Sequence, residues 1–263
     1  MKKRYDLIDT LRGLAIISMI CFHACWIMNY FGILITAENL YGTIFNVWER
    51  SICIPFITIA GFSFSLGHNH LKSGLIVFGW GLIITAATCI FLYDIRIIFG
   101  VLTLIGSSIL LTIPIDNALR NHNLLTQKVS VFLLSVSFLL FLLTYKINMG
   151  YLGFYPAFHV EIPRSIYKGY IATYFGFKDP GFYSTDYFSL FPWWFLYLPT
   201  GIRSTVRLFT VTNMILTTDF ICILTLIPSQ SFRGDPSRGR LRRYTVIYIL
   251  RTGLLLKTLR DIF

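Results

Sequence analysis

The chain is dominated by a succession of apolar runs, each close to the length that crosses a bilayer, separated by short polar turns. A crossing takes about 20 consecutive apolar residues in a helix. Runs of that kind extend over Leu11 to Leu34, Ile44 to Leu66, Gly74 to Tyr93, Ile97 to Ile115 and Val129 to Tyr145, with a shorter one from Phe188 to Ile202. The pattern predicts an all-α polytopic transmembrane helix bundle of about 6–8 spans. Composition agrees: charged residues make up 13% of the 263 and mean hydropathy is +0.67, too little charge to coat a soluble fold of this size. The lipid bilayer is thus the first expected partner.

The first run follows Met1-Lys2-Lys3-Arg4 but does not read as a cleaved leader. It is too long, Arg12 and His23 interrupt it, and no small-residue cleavage site follows. Basic residues favour cytoplasmic loops. Lys2 to Arg4, Lys72, Arg120 with Lys128, and Arg203 with Arg207 therefore predict a cytoplasmic N-terminus, and Asn148 to Tyr187 becomes an extracytoplasmic loop of 40 residues. The net charge is +11, but within the first 200 residues Lys and Arg sit between apolar runs and form no single basic domain, which argues for membrane topology and against nucleic-acid binding. Cys21, Cys25, Cys53, Cys89 and Cys222 all lie in apolar segments without disulfide or zinc spacing and read as buried small residues. His68-Asn69-His70 has no carboxylate or thiol close in sequence, so no metal site is assigned. Gly79-Trp80-Gly81 and the stretch Gly100 to Gly106 read as close helix approaches, not as phosphate loops.

The first run carries the chemistry. Arg12 and His23 lie eleven positions apart, which on a helix leaves them about 20° apart around the axis and roughly 16 Å apart along it. Ile16, Met19, Trp26 and Tyr30 share their face, and Asp9 is close to it. An ionisable residue in mid-bilayer costs about 2.5–3.5 kcal/mol, so this face is expected to meet protein or water. Arg12 at the cytoplasmic interface suits an anionic group, and an intramembrane His suits a general base. Each also has a plainer reading, Arg12 as a helix-end anchor and His23 as a hydrogen-bonded packing residue. Glu49-Arg50 reads as an interfacial ion pair or as part of an acceptor path.

The run Arg4-Tyr5-Asp6-Leu7-Ile8-Asp9-Thr10-Leu11-Arg12-Gly13-Leu14-Ala15-Ile16, ending in Cys21-Phe22-His23, resembles the first-helix signature of bacterial heparan-alpha-glucosaminide N-acetyltransferase-like membrane proteins. Membrane acyltransferases of the acyltransferase-three type have a similar arrangement. Pro55 to Ser63 resembles that family's second helix, Ile98-Phe99-Gly100-Val101-Leu102 its fourth, and Asp186-Tyr187-Phe188-Ser189-Leu190-Phe191-Pro192-Trp193 its late loop-to-helix motif. Thr103 stands where the resemblance leads one to expect His.

The resemblance implies acyl transfer from cytoplasmic acetyl-CoA, or another acyl-CoA, to an extracytoplasmic saccharide amine or hydroxyl. His23 would be the base or acyl relay, Arg12 would help place the donor, and Asp186 and Trp193 would bind the acceptor. It also implies residence in a bacterial inner membrane, and a homo-oligomer stays open.

Residues 1–202 are expected to form the acyltransferase-like domain and 203–263 an atypical basic segment, since the motifs stop near Pro199 and Ser231 to Arg243 is rich in Arg, Gly and Pro. A shifted reading frame or a truncated member would account for that tail. The rival readings are a transporter, in which Arg12 and His23 line a substrate or proton path, and an inactive remnant of the family.

Overall fold

The computed structural model describes residues 6–30, 32, 43–93, 96–154 and 158–202. It is mostly helical: α1 (Asp6–Tyr30), α2 (Thr43–Leu66), α3 (His70–Phe91), α4 (Val101–Asn121), α5 (Gln127–Thr144), a hairpin of β1 (Tyr151–Phe154) and β2 (Phe158–Glu161), short α6 (Gly169–Phe175) and α7 (Leu190–Gly201). Among the described residues five helices are long and apolar enough to cross a membrane, so the chain is an integral membrane protein. The basic tail expected over 203–263 lies outside the described residues, as does Cys222.

Two compact units divide the chain, and their boundary falls within α2, between Ile59 and Ala60. In the first, α1 packs on the start of α2 through rings: Phe22 lies edge-on to Trp48 at 5.5 Å, and the Trp48 indole N–H donates to Ser18 Oγ at 2.8 Å. That bond satisfies a polar group which lipid could not.

In the second unit α4 is the hub, packing on both α3 and α7. Its residues Leu102 to Ile109 are all buried, which fits a segment too rich in Thr and Ser to face lipid. The helices α3 and α4 approach at reciprocal glycines. A Cβ on Gly106 would stand 2.5 Å from the backbone nitrogen of Phe78, and one on Gly81 would stand 2.8 Å from that of Thr103. Gly79, by contrast, faces open space and has no part in this contact. Thr103 is buried there and donates to the Gly100 carbonyl at 2.6 Å. A Gly106→Val substitution must therefore push two backbones apart. Its expected cost is about 1–3 kcal/mol, read as a lower thermal midpoint in detergent; an unchanged midpoint would contradict this packing.

The stretch from Phe188 to Ile202, expected as a sixth span, differs from the others. Its helix α7 has 12 residues, roughly 18 Å against the 30 Å of a hydrocarbon core. Phe191 has non-helical angles, and Leu190, Tyr197, Leu198, Pro199 and Thr200 are buried inside the protein. Ile97 to Gly100, expected to be helical, is instead a non-helical turn, with bends at Ile98 and Phe99, that leads into α4. The cysteines also differ from expectation: Cys21 is exposed, while Cys25, Cys53 and Cys89 are half-buried. A small weakly polar side chain is tolerated on an apolar surface.

Candidate functional site

Asp9, Arg12 and His23 all belong to α1, whose length is set by the unbroken apolar run between them. Arg12 Nη1 lies 3.2 Å from Asp9 Oδ1, one helical turn earlier. His23 is half-buried, with its ring 6.1 Å from that of Phe22 in edge geometry. Leu14, Ile17, Ile20 and Met28 are exposed on the other side of the helix, whereas Arg12, Ala15, Ile16, Met19 and His23 are covered to varying degrees. The polar stripe thus occupies the covered face and the aliphatic residues occupy the open one. Arg12 and His23 are on one face of one helix, separated along its axis by roughly 16 Å.

Asp186 and Trp193 belong to the second unit. Three hydrogen bonds strap the strand of chain around Asp186 to the approach of α4: Thr185 N–H to the Arg96 carbonyl at 3.1 Å, Ile98 N–H to Ser184 Oγ at 3.0 Å, and Phe188 N–H to the Phe99 carbonyl at 2.8 Å. The strap brings Asp186 Oδ2 within 3.2 Å of the place a Cβ on Gly100 would take. Gly100 caps the N-terminus of α4, where a carboxylate meets the positive end of the helix dipole. Phe99 adopts a left-handed backbone, φ +58°, a conformation costing about 1–3 kcal/mol in a bulky residue. Its ring is held 5.1 Å from Tyr174 and stacked on Phe182 at 5.9 Å. The Ile98-Phe99-Gly100 motif therefore has a structural meaning: it turns the chain into α4 and presents Asp186 beside its first turn.

Trp193 is wedged between Phe141 of α5 at 5.9 Å and Phe188 at 5.6 Å, both in edge geometry. Around this ring cluster the tyrosines are tightly held. Tyr187 donates to the Thr173 carbonyl at 2.6 Å, and burial pushes its phenol well above the usual range. Tyr174 pairs with Ser107 and is also raised by burial, with the Ser107 bond opposing. Lys178 is lowered by desolvation, its ammonium 5.7 Å from the Tyr187 ring. These phenols stay neutral at physiological pH, and their O–H groups are engaged by Thr173 and Ser107.

Sequence reasoning missed one feature. The apolar run of the fourth span ends at Ile115, so Asp116 reads as the beginning of a loop. In the structure α4 continues to Asn121 and Asp116 is buried, with its side chain 3% exposed. Its Oδ2 meets Arg120 Nη2 at 2.5 Å, while Oδ1 has no hydrogen-bond partner among the described residues. Buried Ser108 Oγ, two turns earlier on the same helix, and the Tyr197 hydroxyl on α7 also have none among them. The available cue was a four-residue Asp–Arg spacing. The other histidines are placed more plainly: His68 is exposed and His70 stacks on Phe64 at 4.0 Å. Among the described residues no three His, Cys, Asp or Glu side chains converge as metal ligands.

The family model described as heparan-alpha-glucosaminide N-acetyltransferase, catalytic, matches residues 4–218. The match passes beyond Leu198 and Pro199, where the recognisable motifs end. No curated protein and no solved structure gives a significant match.

Proposed function

The chain belongs to the heparan-alpha-glucosaminide N-acetyltransferase catalytic family of membrane acetyltransferases, and we propose that it moves an acetyl group from cytoplasmic acetyl-CoA to an amine or hydroxyl of a saccharide on the far side of the membrane. The observation that carries this reading is the pairing of Arg12 with His23 on the covered face of a membrane-spanning helix inside the matched region.

His23 acts on the acetyl carbonyl or on the acceptor. As a relay, its imidazole nitrogen attacks the thioester, CoA leaves as thiolate, and the acceptor nitrogen or oxygen then takes the acetyl group from the imidazole. As a base, it removes the acceptor proton while the acceptor attacks the thioester directly. On either route the proton lost by the acceptor equals the one gained by the CoA sulfur. Arg12 supplies a fixed positive charge for the phosphates of the donor, held in its rotamer by Asp9. Asp186 accepts hydrogen bonds from acceptor hydroxyls, and Trp193 offers a ring to its C–H face. On this reading the N-terminus lies in the cytoplasm, a bacterial inner membrane holds the enzyme, and residues 1–202 form the working domain.

The test is transfer of radiolabelled acetyl from acetyl-CoA outside proteoliposomes to glucosamine enclosed within them, with the N-terminal face outward. Acceptor-dependent label inside the vesicles is expected. Its absence from a folded sample across several donors and acceptors would leave the family's fold without its activity, and solute flux in place of transfer would mark a transporter.

A further inference from the structure

The segment between α5 and α7, expected as an extracytoplasmic loop, holds a hairpin that is amphipathic with its apolar face outward. Register pairs Leu152 with Val160 and Phe154 with Phe158, so these four side chains share one face; Tyr151, Gly153, His159 and Glu161 share the other. On the apolar face Phe158 is 84% and Val160 67% exposed, and Phe154 is exposed as well. In the short α6 that follows, Ile171 is 79% exposed and Tyr170 is exposed as well. An uncovered apolar surface of this kind is a liability in water and marks an interaction site.

We propose that β1, β2 and α6 lie in the membrane interface, with the Phe154, Phe158 and Val160 face set among the acyl chains just below the phospholipid headgroups. Connectivity chooses lipid as the occupant. The membrane-spanning stretch Gln127–Met149 ends one residue before β1, with only Gly150 between them. A link that short reaches about 7 Å, and β1 packs directly on α5, so the hairpin cannot leave the bilayer surface. Charge agrees. Arg164 and Lys168 are exposed next to this surface, and Lys146 lies 5.6 Å from the Tyr145 ring at the end of the span; cations and tyrosines in such places bind phosphates and seat at headgroup level.

Depth is limited by the backbone. A two-stranded hairpin has unpaired edge N–H and C=O groups, which hydrocarbon cannot satisfy. It therefore sits shallowly, about 5–10 Å into the headgroup–acyl boundary.

The inference is independent of acetyl transfer and is tested without it. The full chain is reconstituted in phosphatidylcholine–phosphatidylglycerol vesicles with photoreactive p-benzoylphenylalanine in place of Phe158, or of Glu161 on the opposite face, and irradiated. Phospholipid adducts at position 158, several-fold more abundant than at 161, are expected by mass spectrometry. A covalent dimer at position 158 would overturn the proposal in favour of a second copy of the chain. No adduct would put the hairpin in water, and equal adducts at the two positions would show that no one face is seated in lipid; either result overturns the proposal. Both positions are exposed, so neither probe has to be fitted into a core.

Discussion

Acetyl transfer by a His23→Ala variant is expected to fall by about 10²–10⁴-fold, the range lost when a positioned acid–base group is removed. The residue is half-buried on the polar stripe of α1 and its ring contacts Phe22 edge-on, whereas the packing of α1 on α2 rests on Phe22, Trp48 and Ser18. Removing the imidazole should therefore leave the helix pair intact. Cys21→Ser provides the comparison, because Cys21 lies two residues away on the same helix and is exposed. Its rate should match wild type. Initial rates of label transfer in proteoliposomes check both variants, with sample monodispersity reporting on the fold. A His23→Ala enzyme within threefold of wild type would remove His23 from the chemistry.

The second large effect concerns stability. Arg120→Met leaves the carboxylate of Asp116 buried without its partner, since Oδ2 loses the 2.5 Å contact and Oδ1 already has no hydrogen bond among the described residues. Arg120 is partly exposed, so only the carboxylate side of the pair is buried, and leaving that buried acceptor unsatisfied costs about 1–3 kcal/mol. For a chain of this length that corresponds to a fall of roughly 5 °C in thermal midpoint. Combining it with Asp116→Leu removes the orphaned charge, so the double variant is expected to recover most of the loss. The two thermal midpoints in detergent, measured side by side, decide the matter. If Arg120→Met alone shifts the midpoint by less than about 2 °C, the ion pair is not holding this end of α4.

The legible part of this fold was the part written in uninterrupted runs. Five spans appear as apolar stretches, and the helices found differ from them mostly by a few residues at their ends. The Arg12–His23 stripe followed from helical geometry alone, and the role assigned to it came from resemblance. Gly81 and Gly106 were readable as contact points because small residues in a membrane helix have few other uses; Gly79 has the same identity and no contact. What stayed hidden depends on distant partners. Ile97 to Gly100 is apolar enough for a helix but is held in a non-helical turn by bonds to Ser184 and Phe188, almost ninety positions later. Asp116 looked like a loop residue because its burial is made by tertiary packing. The hairpin has the alternation of a strand, yet each strand is only four residues long, too short a stretch to stand out from an aromatic-rich loop.

The reciprocal glycines of α3 and α4 also bear on how this chain enters a membrane. Each helix offers a glycine to the backbone of the other, Gly81 against Thr103 and Gly106 against Phe78, and the two contacts are joined by a short connection. Sliding either helix by one position replaces a hydrogen atom with a side chain at both contacts simultaneously. The pair therefore has one admissible register, and a nascent chain that delivers α3 and α4 to the bilayer delivers a hairpin already keyed, onto which α7 is added later in synthesis.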